Sequence, residues 1–255
     1  MKQPLNNVDM SRRKLIRYGA GAVGAGSLTG WLGSSSIAKA IDPPDNSSYS
    51  TTIAAAPGEE SDLSPDEALQ KLMNGNQRFV ENKRRNPNQT LARVEEVAEG
   101  QAPFAAILTC ADSRVVSEII FDQGIGDLFT VRVAGNIAVT EVIASLEYSV
   151  GVLKSPILMV LGHKRCGAVG AAFEGGEYPG MINSFLYAIN QAVEDSKGRP
   201  GDPLENAIIE NVRVELKRLS LSPVVASRVA EGKLKLVGGY YDLDTGAVSL
   251  VSYNA

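Results

Sequence analysis

Three short apolar runs, Phe104 to Thr109, Leu128 to Val133 and Ile157 to Leu161, are interleaved with stretches of helical spacing, Thr140 to Leu153 and Met181 to Asp195. Runs of this length flanked by helical patterns describe strands buried on both faces. They constrain the chain to an α/β fold with a mostly parallel central β-sheet flanked by helices. Lys233 to Tyr241 and Ala247 to Tyr253, joined across Asp242-Leu243-Asp244-Thr245-Gly246, read as a terminal hairpin or an added edge strand. Ahead of the sheet, Ser64-Pro65-Asp66-Glu67 has the marks of a helix start: Ser as N-cap, Pro at the first helical position, and acids in the first turn. Leu69, Leu72, Met73, Phe79 and Val80 follow at roughly helical spacing, so an N-terminal helical arm from Ser64 to Asn82 is predicted with one apolar stripe to cover.

Two of the strands run into the only soft metal ligands of the chain. The sequence contains one histidine, His163, and two cysteines, Cys110 and Cys166. Cys110 directly follows the first run, and His163 follows the third by two residues. In an open α/β sheet, sites form at the carboxyl ends of strands, so ligands 56 residues apart in sequence can meet there. Two thiolates and one imidazole suit a tetrahedral zinc ion that keeps its fourth position open, the catalytic arrangement. Asp112 and Arg114 add a second layer. The carboxylate either closes the zinc site as a fourth ligand or accepts a hydrogen bond from zinc-bound hydroxide, and Arg114 favours the second role by pairing with it.

Other site chemistries fare worse. Gly162-x-x-x-x-Gly167 has the glycine spacing of a phosphate loop, but Ala168 and Val169 stand where Lys and Ser or Thr are required. Gly124-Ile125-Gly126 has Phe129 in place of the third glycine of a dinucleotide fingerprint and precedes a strand rather than a helix. Cysteine arithmetic leaves one alternative, a non-catalytic exported module with Cys110 and Cys166 in a disulfide.

The first forty residues read as an export signal. Ser11-Arg12-Arg13-Lys14 precedes a Gly/Ala/Leu-rich run from Gly19 to Leu32 and the small-residue site Ala38-Lys39-Ala40, a twin-arginine type of signal peptide over 1–40. The twin-arginine route carries proteins already folded around a cofactor, which favours metal over disulfide. The predicted location is the periplasm or the extracellular space, with no stable membrane span after processing. Residues 41–62, rich in Pro, Ser, Thr, Gly and Ala, form a predicted flexible linker before a folded domain over 63–255. Cleavage after Ala40 leaves 19 basic against 28 acidic residues and removes Trp31, the only tryptophan. An acidic chain without a basic stripe argues against nucleic acid as a partner.

Cys-x-Asp-x-Arg at 110–114, His-x-x-Cys at 163–166 and Gly126-Asp127-Leu128-Phe129-Thr130-Val131-Arg132 together resemble the β-class carbonic anhydrases, from about Leu63 to the C-terminus. The resemblance implies one Zn²⁺ per chain held by Cys110, His163 and Cys166, and a dyad of Asp112 and Arg114. It also implies a small CO₂ pocket lined by Gln101, Phe129 and Tyr148, with Gln101 as an amide donor to nascent bicarbonate. The implied reaction is reversible hydration of CO₂ to bicarbonate and a proton. Hydrolysis of carbonyl sulfide or carbon disulfide on the same scaffold is the near rival. The implied assembly is a homodimer or a dimer of dimers, with the N-terminal helices reaching over the neighbour. Two departures stand out. Val133 replaces an Asn often found after Val-Arg, which predicts a missing second-layer or turn hydrogen bond. Without a tryptophan, the regulatory bicarbonate site of some members is not expected.

Overall fold

The computed structural model describes residues 62–253. The predicted signal, the linker through residue 61 and Trp31 lie outside the described residues. The first described helix, α1 (Pro65–Val80), begins as its sequence dictates. Ser64 Oγ accepts from the Glu67 amide while the Glu67 carboxylate accepts from the Ser64 amide at 2.8 Å, a reciprocal cap that satisfies two otherwise orphaned donors. Most of its stripe packs on the chain's own core: Leu72, like Ala68, is fully buried in one cluster with Phe104, Phe121 and Met159, Leu69, Met73 and Phe79 are partly buried against that cluster, and Val80 is exposed.

A short helix α2 (Leu91–Glu96) leads to β1 (Ala105–Thr109), α3 (Ser117–Ile120) and β2 (Leu128–Arg132). Then come α4 (Thr140–Glu147), β3 (Ile157–His163), α5 (Gly167–Glu174), α6 (Asn183–Ser196), α7 (Pro203–Ser220), α8 (Pro223–Ala230), β4 (Lys235–Tyr241) and β5 (Val248–Val251). The sheet order is β2-β1-β3-β4-β5; β5 runs antiparallel to β4 and the other pairs are parallel. β1 and β3 are buried throughout, which explains their unbroken apolar runs. Their side chains alternate between two layers. Ile107, Met159 and Leu161 face the α1 side, whereas Ala106, Leu108, Leu158 and Val160 pack with Val142 and Leu146 of α4 and Val212, Leu216 and Leu219 of α7.

Two sequence expectations are corrected, and one helix is added. β3 does not stop at Leu161; Gly162 and His163 pair with Tyr240 and Tyr241 of β4, so the histidine is the last residue of the strand. Gly162 is required there because a Cβ would come within 2.7 Å of Val212 on α7. The helix expected from Thr140 to Leu153 is α-helical only to Glu147, and Tyr148–Val152 continue as a π-turn. Buried Ser149 and Ser155 share a hydrogen bond of 2.9 Å at its far end, holding this wider turn. The largest omission is α7. Asp202 caps it and Pro203 opens it, a signal as clear as that of α1, and Ser222-Pro223 repeats the pattern for α8.

No described helix is long and apolar enough to cross a membrane.

Candidate metal centre

The parallel strands deliver the three soft ligands to one place. Cys110 follows β1, His163 ends β3, and Cys166 is the N-cap of α5. Their ligand atoms all lie within 4.8 Å of one another, and all three residues are buried. Both cysteines are free, with sulfurs 3.9 Å apart. A disulfide would need about 2.05 Å. Two thiolates each about 2.3 Å from a shared tetrahedral ion would stand ~3.8 Å apart, so the spacing suits a metal and gives the disulfide reading no support.

The imidazole is prepared for the same role. His163 Nδ1 lies 3.0 Å from the Lys164 carbonyl, which can only accept, so Nδ1 carries the proton and Nε2 the lone pair. Nε2 is buried and, among the described residues, has no hydrogen-bond partner. A buried orphan acceptor beside two thiols is costly unless a cation takes it up.

The thiols behave as a pair. The hydrogen bond from Cys166 holds the Cys110 thiol well below the ordinary range, helped by backbone amides that include Gly135, whose N–H donates to the sulfur at 3.3 Å. Cys166, which supplies that hydrogen bond and is buried, is pushed up. One proton therefore leaves readily, and the second leaves when a cation compensates the charge.

Asp112 and Arg114 form the expected dyad. Arg114 Nε and Nη2 reach the two carboxylate oxygens at 2.9 and 2.7 Å, and the Arg114 amide adds a third bond of 2.9 Å. Arg114 holds the Asp112 carboxyl far below the usual carboxylate range. Asp112 Oδ2 stands 3.8 Å from His163 Nε2, outside the ligand cluster yet beside it.

Several supporting residues escaped the sequence reading. Arg132, at the end of β2, donates to the Cys110 carbonyl at 3.3 Å and to the Asp112 carbonyl at 2.6 Å, fixing the loop that carries both. Between His163 and Cys166, Arg165 adopts a left-handed φ of 51°. The hairpin turn holds it there: Asp244 pairs with Arg165 at 3.0 Å and with Lys164 at 3.0 Å, and Asp242 takes Lys164 at 3.2 Å. The acidic pair in Asp242-Leu243-Asp244 facing Lys164-Arg165 was the available signal.

Residues 105–248 match the family model described as carbonic anhydrase. Carbonic anhydrase 2 of Mycobacterium tuberculosis is 38% identical over 194 residues, covering 73% of this chain and 92% of that protein. Among solved structures, one of two tetrameric β-carbonic anhydrases from Sordaria macrospora aligns with a TM-score of 0.58 at 25% identity, over 62% of this chain and 85% of that one. The Coccomyxa β-carbonic anhydrase, solved in complex with acetazolamide, aligns with a TM-score of 0.56 at 28% identity, over 62% and 75%.

The chain belongs to the β-class carbonic anhydrase family.

In this carbonic anhydrase the other expected pocket residues are grouped differently. The Phe129 and Tyr148 rings meet, with centroids 6.3 Å apart and planes tilted by 45°. Phe129 pairs with Ala106, four residues before Cys110, which is ~13 Å back along the strand at about 3.3 Å per residue. Gln101 is exposed ahead of β1. Cys110, His163 and Cys166 and the Asp112-Arg114 pair thus converge at the carboxyl end of the sheet, and the Phe129-Tyr148 pair forms a second group further back. At Val133 the backbone is fully used: its amide bonds Thr109, and its carbonyl accepts from Ala111 and Asn136. Among the described residues, Asn136 Nδ2 and Asn211 Oδ1 are buried without hydrogen-bond partners.

Proposed function

We propose that this chain is a zinc-dependent enzyme that reversibly hydrates CO₂ to bicarbonate and a proton, with one zinc held by Cys110, His163 and Cys166. The carrying observation is the buried trio itself: two sulfurs at metal-sharing distance and an imidazole nitrogen with its lone pair unclaimed. Zinc bound there would lower the pKa of a coordinated water from about 15.7 to near 7, making hydroxide available at neutral pH.

The chain's own residues do the remaining work. Arg114 keeps Asp112 ionised and occupies both its oxygens, restraining it from closing the open ligand position. Asp112 Oδ2, close to His163 Nε2, is placed to accept the remaining proton of the attacking water in a hydrogen bond and so to aim its lone pair at carbon. Ile137 and Val169 pack with the cysteines and give an uncharged apolar substrate a dry wall.

Assembly completes the pocket in this reading. Phe129 belongs to the edge strand β2 and Tyr148 meets its ring; the residues of this strand are half-buried or exposed, and its outer side is unpaired among the described residues. A second copy docking along that edge would bring its aromatic pair, and its Gln101, toward the first copy's dyad. The proposed assembly is accordingly a homodimer or a dimer of dimers. The proposed location is outside the cytoplasm, after removal of 1–40, and replacing Arg12 and Arg13 with Lys should leave unprocessed precursor in the cell.

The deciding experiment measures zinc content together with CO₂ hydration and carbonyl sulfide hydrolysis on the purified mature protein. About one zinc per chain with fast hydration is expected. Zinc with sulfide release but no hydration would transfer the assignment to the sulfur analogue, and absence of bound zinc would overturn it.

A further inference from the structure

Outside the metal centre, the fully buried polar side chains of α7 are turned onto one short stretch of backbone. Asn211 and Glu215 are one helical turn apart and both have no exposed surface. Asn211 Nδ2 donates to the Gly135 carbonyl at 2.8 Å. Glu215 Oε2 accepts from the Ala138 amide at 2.8 Å, and its other oxygen takes Arg218 at 2.9 Å. Arg218 is itself tied to the Ala188 carbonyl of α6 at 3.1 Å. The segment gripped at both ends, Gly135 to Ala138, is the one whose first N–H points at the Cys110 sulfur.

That segment needs to be held. Gly135 and Asn136 are consecutive left-handed residues, with φ of 72° and 46°, a conformation that persists only where the surroundings enforce it. At Gly135 a Cβ would come within 2.5 Å of Ile189 Cδ1 and would strain the positive φ, so any larger residue would displace Ile189 or the segment. Glu215 is also an expensive strut, because burial pushes its carboxyl up to about 6.

We propose that Asn211 and Glu215 are positioning residues for the reaction. By clamping Gly135 to Ala138 they aim the Gly135 amide at Cys110 and so set how firmly that sulfur holds the metal. A hydrogen bond donated to a ligating thiolate drains charge from it and fixes its direction, and outer-layer partners of this kind change metal affinity or activity by roughly 10–100-fold. The inference rests on the zinc reading of the site.

The test uses the mature protein loaded with zinc and, separately, with cobalt. Asn211→Leu and Glu215→Leu remove each grip, while Glu215→Gln keeps an acceptor for the Ala138 amide. Three quantities are followed: zinc transfer to a chelator, the sulfur-to-cobalt charge-transfer band, and the melting temperature. Both leucine variants should release zinc about tenfold faster or more and shift the cobalt band, and Glu215→Gln should recover most of the retention. Leucine variants that melt earlier but release zinc within about twofold of wild type, with an unmoved band, would reduce the pair to fold support and overturn the proposal. Should they fail to fold, Asn211→Ser, too short to reach the Gly135 carbonyl, is judged by the same two metal readouts. Wild-type protein that binds neither metal would instead refute the functional reading, so the two failures are distinguishable.

Discussion

Cys110 and Cys166 bring their sulfurs to 3.9 Å although 56 residues separate them in sequence. The approach is made by parallel pairing of β1 with β3, which sets Thr109 beside Leu161 and so aligns the two strand ends. His163 completes the group, and the chain has no other Cys or His. Cys110→Ser, Cys166→Ser or His163→Ala should therefore reduce zinc from about one per chain to near zero and abolish CO₂ hydration. Elemental analysis after dialysis checks this; full occupancy in Cys166→Ser would exclude that sulfur as a ligand.

The dyad separates binding from rate. Asp112 is gripped by Arg114 through three hydrogen bonds and stands beside the ligand cluster rather than in it. Asp112→Ala should keep its zinc and lose roughly 10–100-fold in kcat, the scale of a lost outer-layer partner. Arg114→Ala should fall similarly, because the freed carboxylate can then compete for the open position. Zinc content and kcat are measured on the same preparation, and an Asp112→Ala protein as fast as wild type would remove the aspartate from the chemistry.

How far the sequence discloses this arrangement depends on whether the information is local. The strands, the hairpin and the start of α1 were legible because apolar runs, turn residues and a capping Ser-Pro-Asp-Glu act within a few positions. The convergence of Cys110, His163 and Cys166 was legible by scarcity, since the sequence holds one His and two Cys. Arg132, Asn211 and Glu215 were not, because each acts on a carbonyl or amide of a different element, and nothing in their own neighbourhoods marks the target. Asp202-Pro203 is a local signal for the start of α7, the helix that carries two of them, but it does not mark what their side chains bind. The separation of Phe129 and Tyr148 from Cys110 needed strand register, which motif spacing does not supply.

Glu215 gives a pH dependence of stability whose sign is fixed. Burial raises its carboxyl from 4.5 to about 6, so the folded chain binds this proton more tightly than the unfolded chain does. Its contribution is most favourable below the unfolded value, declines between pH 4.5 and about 6, and is unfavourable by about 2 kcal/mol above that. Glu215→Gln keeps the Ala138 contact without the charge. It should match wild type near pH 4.5 and melt higher at pH 7.5, by a few degrees at about 2–4 °C per kcal/mol for a chain of this size. A difference in melting temperature that stays constant from pH 4.5 to 7.5 would show that the ionised carboxylate is not the cause.

Proton removal should limit turnover. Each hydration cycle releases a proton, and the side chain best suited to carry it near neutral pH is imidazole. The only imidazole is His163, fully buried, with Nδ1 committed to the Lys164 carbonyl and Nε2 directed at the ligand cluster. Asp112, the carboxylate nearest to it, is held too acidic by Arg114 to carry a proton at pH 7. An external acceptor must then take it up. At fixed pH and ionic strength, kcat should rise with imidazole buffer concentration toward a plateau, while kcat/KM, which reports the steps through CO₂ conversion, stays nearly flat. A kcat already at its plateau in very dilute buffer would reveal an internal carrier, and Tyr148, partly exposed beside Phe129, would be the first residue to replace.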